Sequence, residues 1–179
     1  VLSARTVTQM SVSVVRLERY TRADRDEITG GDPDPAGVAP MGLAWRAIEV
    51  DFGVRDEGRL VGHAGMVPVS LSVGGVTLRM AGLGGVVVAP GLRRKGLARR
   101  VVTAVMDHAR GLGLEFGILF CRPHVVPFYE RLGWRVVRDE VLIEQPDGLL
   151  RMPLETMWTP LADGAELPRG QVRFLSLPM

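Results

Sequence analysis

The stretch Val86-Val-Val-Ala-Pro-Gly-Leu-Arg-Arg-Lys-Gly-Leu-Ala98 decides the fold. Its β-branched run reads as a strand, and Pro90-Gly91 ends it. Beyond the turn, Leu97, Val101, Val105, Ala109 and Leu112 recur at three- and four-residue spacing, marking one face of a helix that Gly111 to Gly113 closes. Phe116 to Phe120 then reads as a second, buried strand. Strand, turn, helix and strand make a βαβ crossover, which predicts two parallel strands joined with right-handed sense.

The turn between strand and helix is basic: Arg93 to Arg100 holds five cationic residues and no acid. Free N–H groups at a helix start point outward, the helix dipole favours negative charge, and Gly96 and Ala98 leave room for phosphate oxygens. A pyrophosphate suits that description. Two familiar phosphate loops do not match. A Walker loop needs Gly-Lys-Ser/Thr, whereas Lys95 precedes Gly96 and Leu97 follows. A dinucleotide fingerprint starting at Gly82 needs glycine where Val87 stands, and it opens no helix.

Upstream, Val12 to Leu17 reads as a first strand and Thr21 to Ile28 as a charged helix. Gly30 to Pro40 reads as a mobile surface loop, because its glycines and prolines oppose regular structure. From Arg46, Ile48, Val50, Phe52 and Val54 alternate as in a half-buried strand. Leu60 to Val73 and Val76 to Val88 form a hairpin across Gly74-Gly75, and Gly82, Gly84 and Gly85 suggest a bulge or a close approach by ligand or backbone. Downstream, Pro127, Phe128, Leu132 and Gly133 define a second short helix. Val136 to Ile143 and Glu155 to Trp158 are expected to flank a Gln145–Gly148 turn, with a final strand over Val172 to Leu177.

The chain has 179 residues, 46% apolar and 23% charged, which fits one globular domain. We expect residues 1–10 to be a flexible extension and 11–179 a single domain. Twenty-two basic against 20 acidic residues are interspersed along the chain, which is not a nucleic-acid footprint. The lone Cys121 excludes an internal disulfide and reads as a small buried hydrophobe, and three scattered histidines give no metal-ligand spacing. No metal, nucleic-acid or membrane partner is expected. No apolar run approaches the roughly 20 residues that span a bilayer, and Val1 to Met10 lacks signal-peptide features, so a cytoplasmic location is expected.

Two motifs in order carry a family resemblance. Arg93-Arg-Lys-Gly96-Leu-Ala98 resembles the Arg/Gln-x-x-Gly-x-Gly/Ala loop of the GNAT acetyl-CoA-dependent N-acetyltransferases, and Phe128-Tyr129 before Gly133-Trp134 resembles that family's second signature. The resemblance implies an α/β (α+β) fold: a mixed, mostly antiparallel sheet whose central parallel strands splay apart, flanked by helices. It implies acetyl-CoA as co-substrate, its pantetheine arm meeting the backbone of Val86, Val87 and Val88. The pyrophosphate would lie on Arg93, Arg94, Lys95, Gly96, Leu97 and Ala98.

Tyr129 matches the residue that, in many relatives, protonates the departing thiolate, and a phenol of similar pKa suits that task. Many relatives also place a glutamate on the strand before the loop, but Thr77 to Val88 contains no carboxylate. His124 and the Met179 carboxylate are the candidate substitutes. The layout is most similar to the aminoglycoside 2'-N-acetyltransferase branch, whose polycationic acceptor would want carboxylates such as Asp32, Asp34, Asp51, Glu144, Asp147 and Glu155. Another small amine, or a peptide or protein amine, is the alternative acceptor. A non-catalytic acyl-CoA-binding module is the alternative outside the enzyme class. Homodimerisation through C-terminal strands is left open.

Overall fold

The computed structural model describes residues 12–179. The expected flexible extension over residues 1–10 lies outside them. Ten strands form one mixed sheet. β1 (Val12–Leu17) and β2 (Val50–Asp56) pair antiparallel, and β2 continues onto β3 (Arg59–Val73), which turns through Gly74-Gly75 into β4 (Val76–Val88). Both turn glycines take positive φ, +55° and +88°, the geometry a two-residue hairpin requires. Between β1 and β2, α1 (Arg22–Thr29) is capped by Thr21, whose hydroxyl receives the Asp24 N–H while Asp24 reaches back to the Thr21 backbone.

After β4 the crossover is as the glycine and apolar spacing predict. α2 (Leu97–Gly111) packs Val101, Val105 and Ala109 into the core, and β5 (Phe116–Cys121) returns parallel to β4. Leu112 departs from expectation: it caps the helix rather than continuing it and is 55% exposed. α3 (Val126–Glu130) follows a single 3-10 turn over Pro123–Val125.

Five further expectations are corrected. The strand expected from Arg46 begins only at Val50. The strand expected over Val136 to Ile143 is two: β6 (Arg135–Val136) and β7 (Val141–Gln145), separated by the exposed, charged Arg138-Asp139-Glu140. The turn at Pro146-Asp147 joins β7 to β8 (Gly148–Arg151), while β9 (Glu155–Pro160) lies between β5 and β6 instead. The last strand, β10 (Val172–Phe174), ends before Leu175, and a short 3-10 turn over Ala39–Met41 interrupts the Gly30–Pro40 loop.

Two features of β3 and β4 prepare the site. Register shifts between His63 and Gly65, where Gly85 adopts φ +62°, so β4 carries a bulge. On its other side β4 pairs with β5 only from Ala81 to Leu83, so Gly84 to Val88 leave the ladder as the strands part. Apolar cores form on both faces of the sheet, one under α2 around Met66 and Leu83, the other around Met80, Ile118 and Phe174.

Candidate active site

The parted strands leave the backbone of Gly84 to Val88 without β5 as a partner, and such groups invite an extended chain. At the end of β4, Ala89 N–H donates to the Val61 carbonyl and Arg93 Nε donates to the Val88 carbonyl at 3.3 Å, fixing the turn. Arg94 takes φ +63° and Gly96, the α2 N-cap, φ +78°. Two left-handed residues flanking Lys95 curl the backbone before the free N–H groups of the first helical turn, an anion-binding concavity. Arg93, Arg94 and Lys95 are exposed there, whereas the Leu97 side chain is committed to the core.

Two cavities are lined by adjoining residues of β4 and α3. One, of about 450 Å³, is lined by Val88, Arg93, Arg94, Gly96, Leu97 and Ala98, with Phe128 facing them. The other, of about 550 Å³, is lined by Gly84 to Val87, His124 and Tyr129. Of the residues singled out for cofactor binding and catalysis, all but Lys95 and Met179 line one or other cavity; Lys95 stands on the exposed turn. Met179 packs its side chain over Gly82, with its backbone beside Gly84.

Tyr129 is 6% exposed, held edge-on between Phe128 at 4.9 Å and Trp134 at 5.9 Å. That packing explains the aromatic and Gly-Trp letters around it: they fix the ring at the cavity wall. Burial pushes its phenol well above the usual range, with Cys121 adding to the effect, so Tyr129 stays protonated at neutral pH. Burial, followed by the charge of Glu155, lifts the Cys121 thiol to about 11, which leaves it a weak nucleophile. His124 is exposed on the 3-10 turn before α3.

A second group in the same cavity is one the sequence reading passed over. His63, 1% exposed on β3, has Nε2 at 2.7 Å from Asp51 Oδ1 and Nδ1 at 2.7 Å from the Gly85 carbonyl. Both facing atoms are acceptors. Tyr20 stacks on the ring at 3.7 Å and 6°. The signal was a histidine amid small residues, Gly62-His63-Ala64-Gly65, opposite an acid on β2: Asp51 pairs with Gly65, and Gly65 with Gly84. The missing β4 carboxylate has a counterpart two strands away.

Of the six carboxylates considered for a cationic acceptor, Asp34 and Asp51 line the cavity. Asp34 accepts the Val38 N–H at 2.9 Å and the Ala39 N–H at 2.8 Å, which hold its carboxyl below the usual range, Ala39 first. No group of three or more candidate metal ligands occurs among the described residues. No helix among them is long and apolar enough to cross a membrane.

A split mixed sheet with a basic helix start at the split and a buried phenol across from it defines the GNAT type of acetyltransferase fold. A family model described as an acetyltransferase (GNAT) domain matches residues 47–137, and the chain belongs to that family. The fold agrees with solved structures. A GNAT family N-acetyltransferase from Escherichia coli, in complex with CoA, superposes with TM-score 0.63 over 94% of this chain and 96% of that one, at 17% identity. The ribosomal-protein-S18-alanine N-acetyltransferase from Escherichia coli gives 0.57 over 87% and 99%, at 18% identity. An aminoglycoside 6'-N-acetyltransferase complexed with coenzyme A gives 0.56 over 86% and 99%, at 17% identity. No curated protein matches the sequence.

Proposed function

We propose that the protein transfers an acetyl group from acetyl-CoA to a primary amine by direct attack while both substrates are bound. The observation that carries this reading is that the two cavity linings adjoin, Val87 beside Val88 on β4 and Tyr129 beside Phe128 on α3. One side offers the curled backbone and cations that suit a pyrophosphate, with the open β4 edge suiting an amide-bearing arm. The other side is a separate chamber that Tyr129 lines.

The chemistry follows from these groups. The amine nitrogen forms a bond to the thioester carbonyl carbon, and a backbone N–H of the parted β4 segment stabilises the charge that develops on the carbonyl oxygen. The carbon–sulfur bond breaks, and Tyr129 donates its proton to the departing thiolate. Burial raises the phenol, but it raises a desolvated thiolate too, so donor and acceptor stay matched. The proton lost by the amine goes to Asp51, the carboxylate that His63 holds in place, and returns Tyr129 to its starting state by way of solvent. His124, expected from the sequence to serve as base, stands exposed with no hydrogen-bond partner for its ring among the described residues.

An aminoglycoside-type amino sugar was the acceptor expected from layout. The cavity's charge does not favour it: Asp34 and Asp51 are matched in number by Arg25 and Arg122. The reading therefore commits to a primary amine. Initial-rate kinetics of CoA thiol release test it. Intersecting lines when both substrates are varied support attack in a ternary complex. Parallel lines, which an acyl-enzyme intermediate produces, overturn it.

A further inference from the structure

Arg25 is unused by anything described so far. It projects from α1 into the 550 Å³ cavity, makes no ion pair or side-chain hydrogen bond to any described residue, and its Nε is buried without a partner. A guanidinium does not neutralise itself by losing a proton, so burial of an unpaired donor leaves a standing demand for an acceptor. Most other cations near the site have visible work. Arg93 and Arg94 line the other cavity, and Arg122, which shares this one, donates through Nε to the Ala36 carbonyl at 3.3 Å.

We propose that the acceptor is a small amine bearing a carboxylate, and that Arg25 binds this carboxylate while the amine lies toward Asp51. The inference rests on the acetyl-transfer reading and names its substrate class. Tyr20 ties the two ends together. Its ring stacks on His63, and its phenol is pushed up to about 12 by burial, with Arg25 pulling it down and Asp24, Asp51 and Asp26 pushing it up. Arg25, Tyr20 and Asp51 all line one cavity, so a cation and an anion face the same enclosed space, which suits a zwitterion.

Charge balance selects the same ligand. In the lining Arg25 and Arg122 match Asp34 and Asp51 in number, and a zwitterion of zero net charge keeps that match. A polycation or a dianionic phosphate would not. A planar guanidinium also matches a carboxylate with two parallel hydrogen bonds.

The test is CoA thiol release by the full chain with ω-amino acids of two to five carbons against amino alcohols of equal length. An aminoalkyl phosphate and simple alkylamines complete the panel. The proposal expects kcat/KM for the best acid to exceed that of its alcohol by about tenfold or more, through KM. In Arg25→Gln that ratio falls toward one, and Arg25→Lys restores part of it. Equal turnover of acid and alcohol by the native chain overturns the inference and leaves acetyl transfer standing. Preference for the phosphate also overturns it. Thiol release with none of the amines overturns the acetyl-transfer reading itself. Calorimetric binding of acetyl-CoA to Arg25→Gln reports whether that variant is folded, and if it is not, the native panel decides alone.

Discussion

Gly85→Ala is the substitution on which the construction of this site bears most directly. Gly85 has φ +62°, and a Cβ there would stand 3.0 Å from His63 Cε1 and 3.2 Å from Nδ1. Two costs add. A left-handed non-glycine residue costs about 1–2 kcal/mol. Displacing the His63 ring from the Gly85 carbonyl and Asp51 leaves buried polar groups unsatisfied, at about 1–3 kcal/mol. The sum is about 2–5 kcal/mol, and a chain of this size moves its Tm by about 2–4 °C per kcal/mol. Gly58→Ala is the control: it has φ +83° in the β2–β3 turn and nothing within 4 Å, so it carries only the backbone cost. Denaturant unfolding followed by circular dichroism should show Gly85→Ala less stable than Gly58→Ala by about 1–3 kcal/mol. In a His63→Ala background that excess should vanish. Equal losses in the two glycine variants, or an excess that persists without His63, would refute the reasoning.

Three further outcomes are expected. Tyr20, Tyr129 and Cys121 all have their pKa values raised by burial, from ordinary values of 10.0, 10.0 and 9.0, so the folded chain keeps protons that the unfolded chain loses. Their contribution is complete below those ordinary values and is lost as pH rises through the folded ones; Tm should fall from about pH 9 upward, and a flat Tm to pH 11 would contradict it. Arg94→Ala should weaken acetyl-CoA binding about tenfold by calorimetry, with a shallower salt dependence than the native chain; an unchanged Kd would remove that side chain from the pyrophosphate site. Cys121 should react with alkylating reagents slowly at pH 7 when native and quickly when unfolded, and rapid native labelling would contradict its burial.

The crossover from Val86 to Phe120 is legible because its signals are local. A strand, a glycine-spaced basic turn and a helical period lie within some thirty-five consecutive residues, and Tyr129 follows in its own short signature. The Asp51–His63 contact is different in kind. It depends on the register that sets Asp51 opposite Gly65 and on a bulge that turns the Gly85 carbonyl toward the ring, and neither is written in adjacent letters. Arg25 reaches the cavity from α1 only because that helix lies over β3 and β4. The single strand read from Val136 to Ile143 failed for a related reason. Apolar letters at both ends concealed three exposed charged residues that send β6 and β7 to distant parts of the sheet.

The central claim is that the buried phenol of Tyr129, in the lining of the 550 Å³ cavity, supplies the proton for acetyl transfer. Comparing Tyr129→Phe with the native chain in acetyl-CoA-dependent thiol release tests it most directly. The account predicts kcat lower by about a hundredfold or more, with acetyl-CoA affinity unchanged within about twofold. An unchanged kcat in a variant that still binds acetyl-CoA would contradict it.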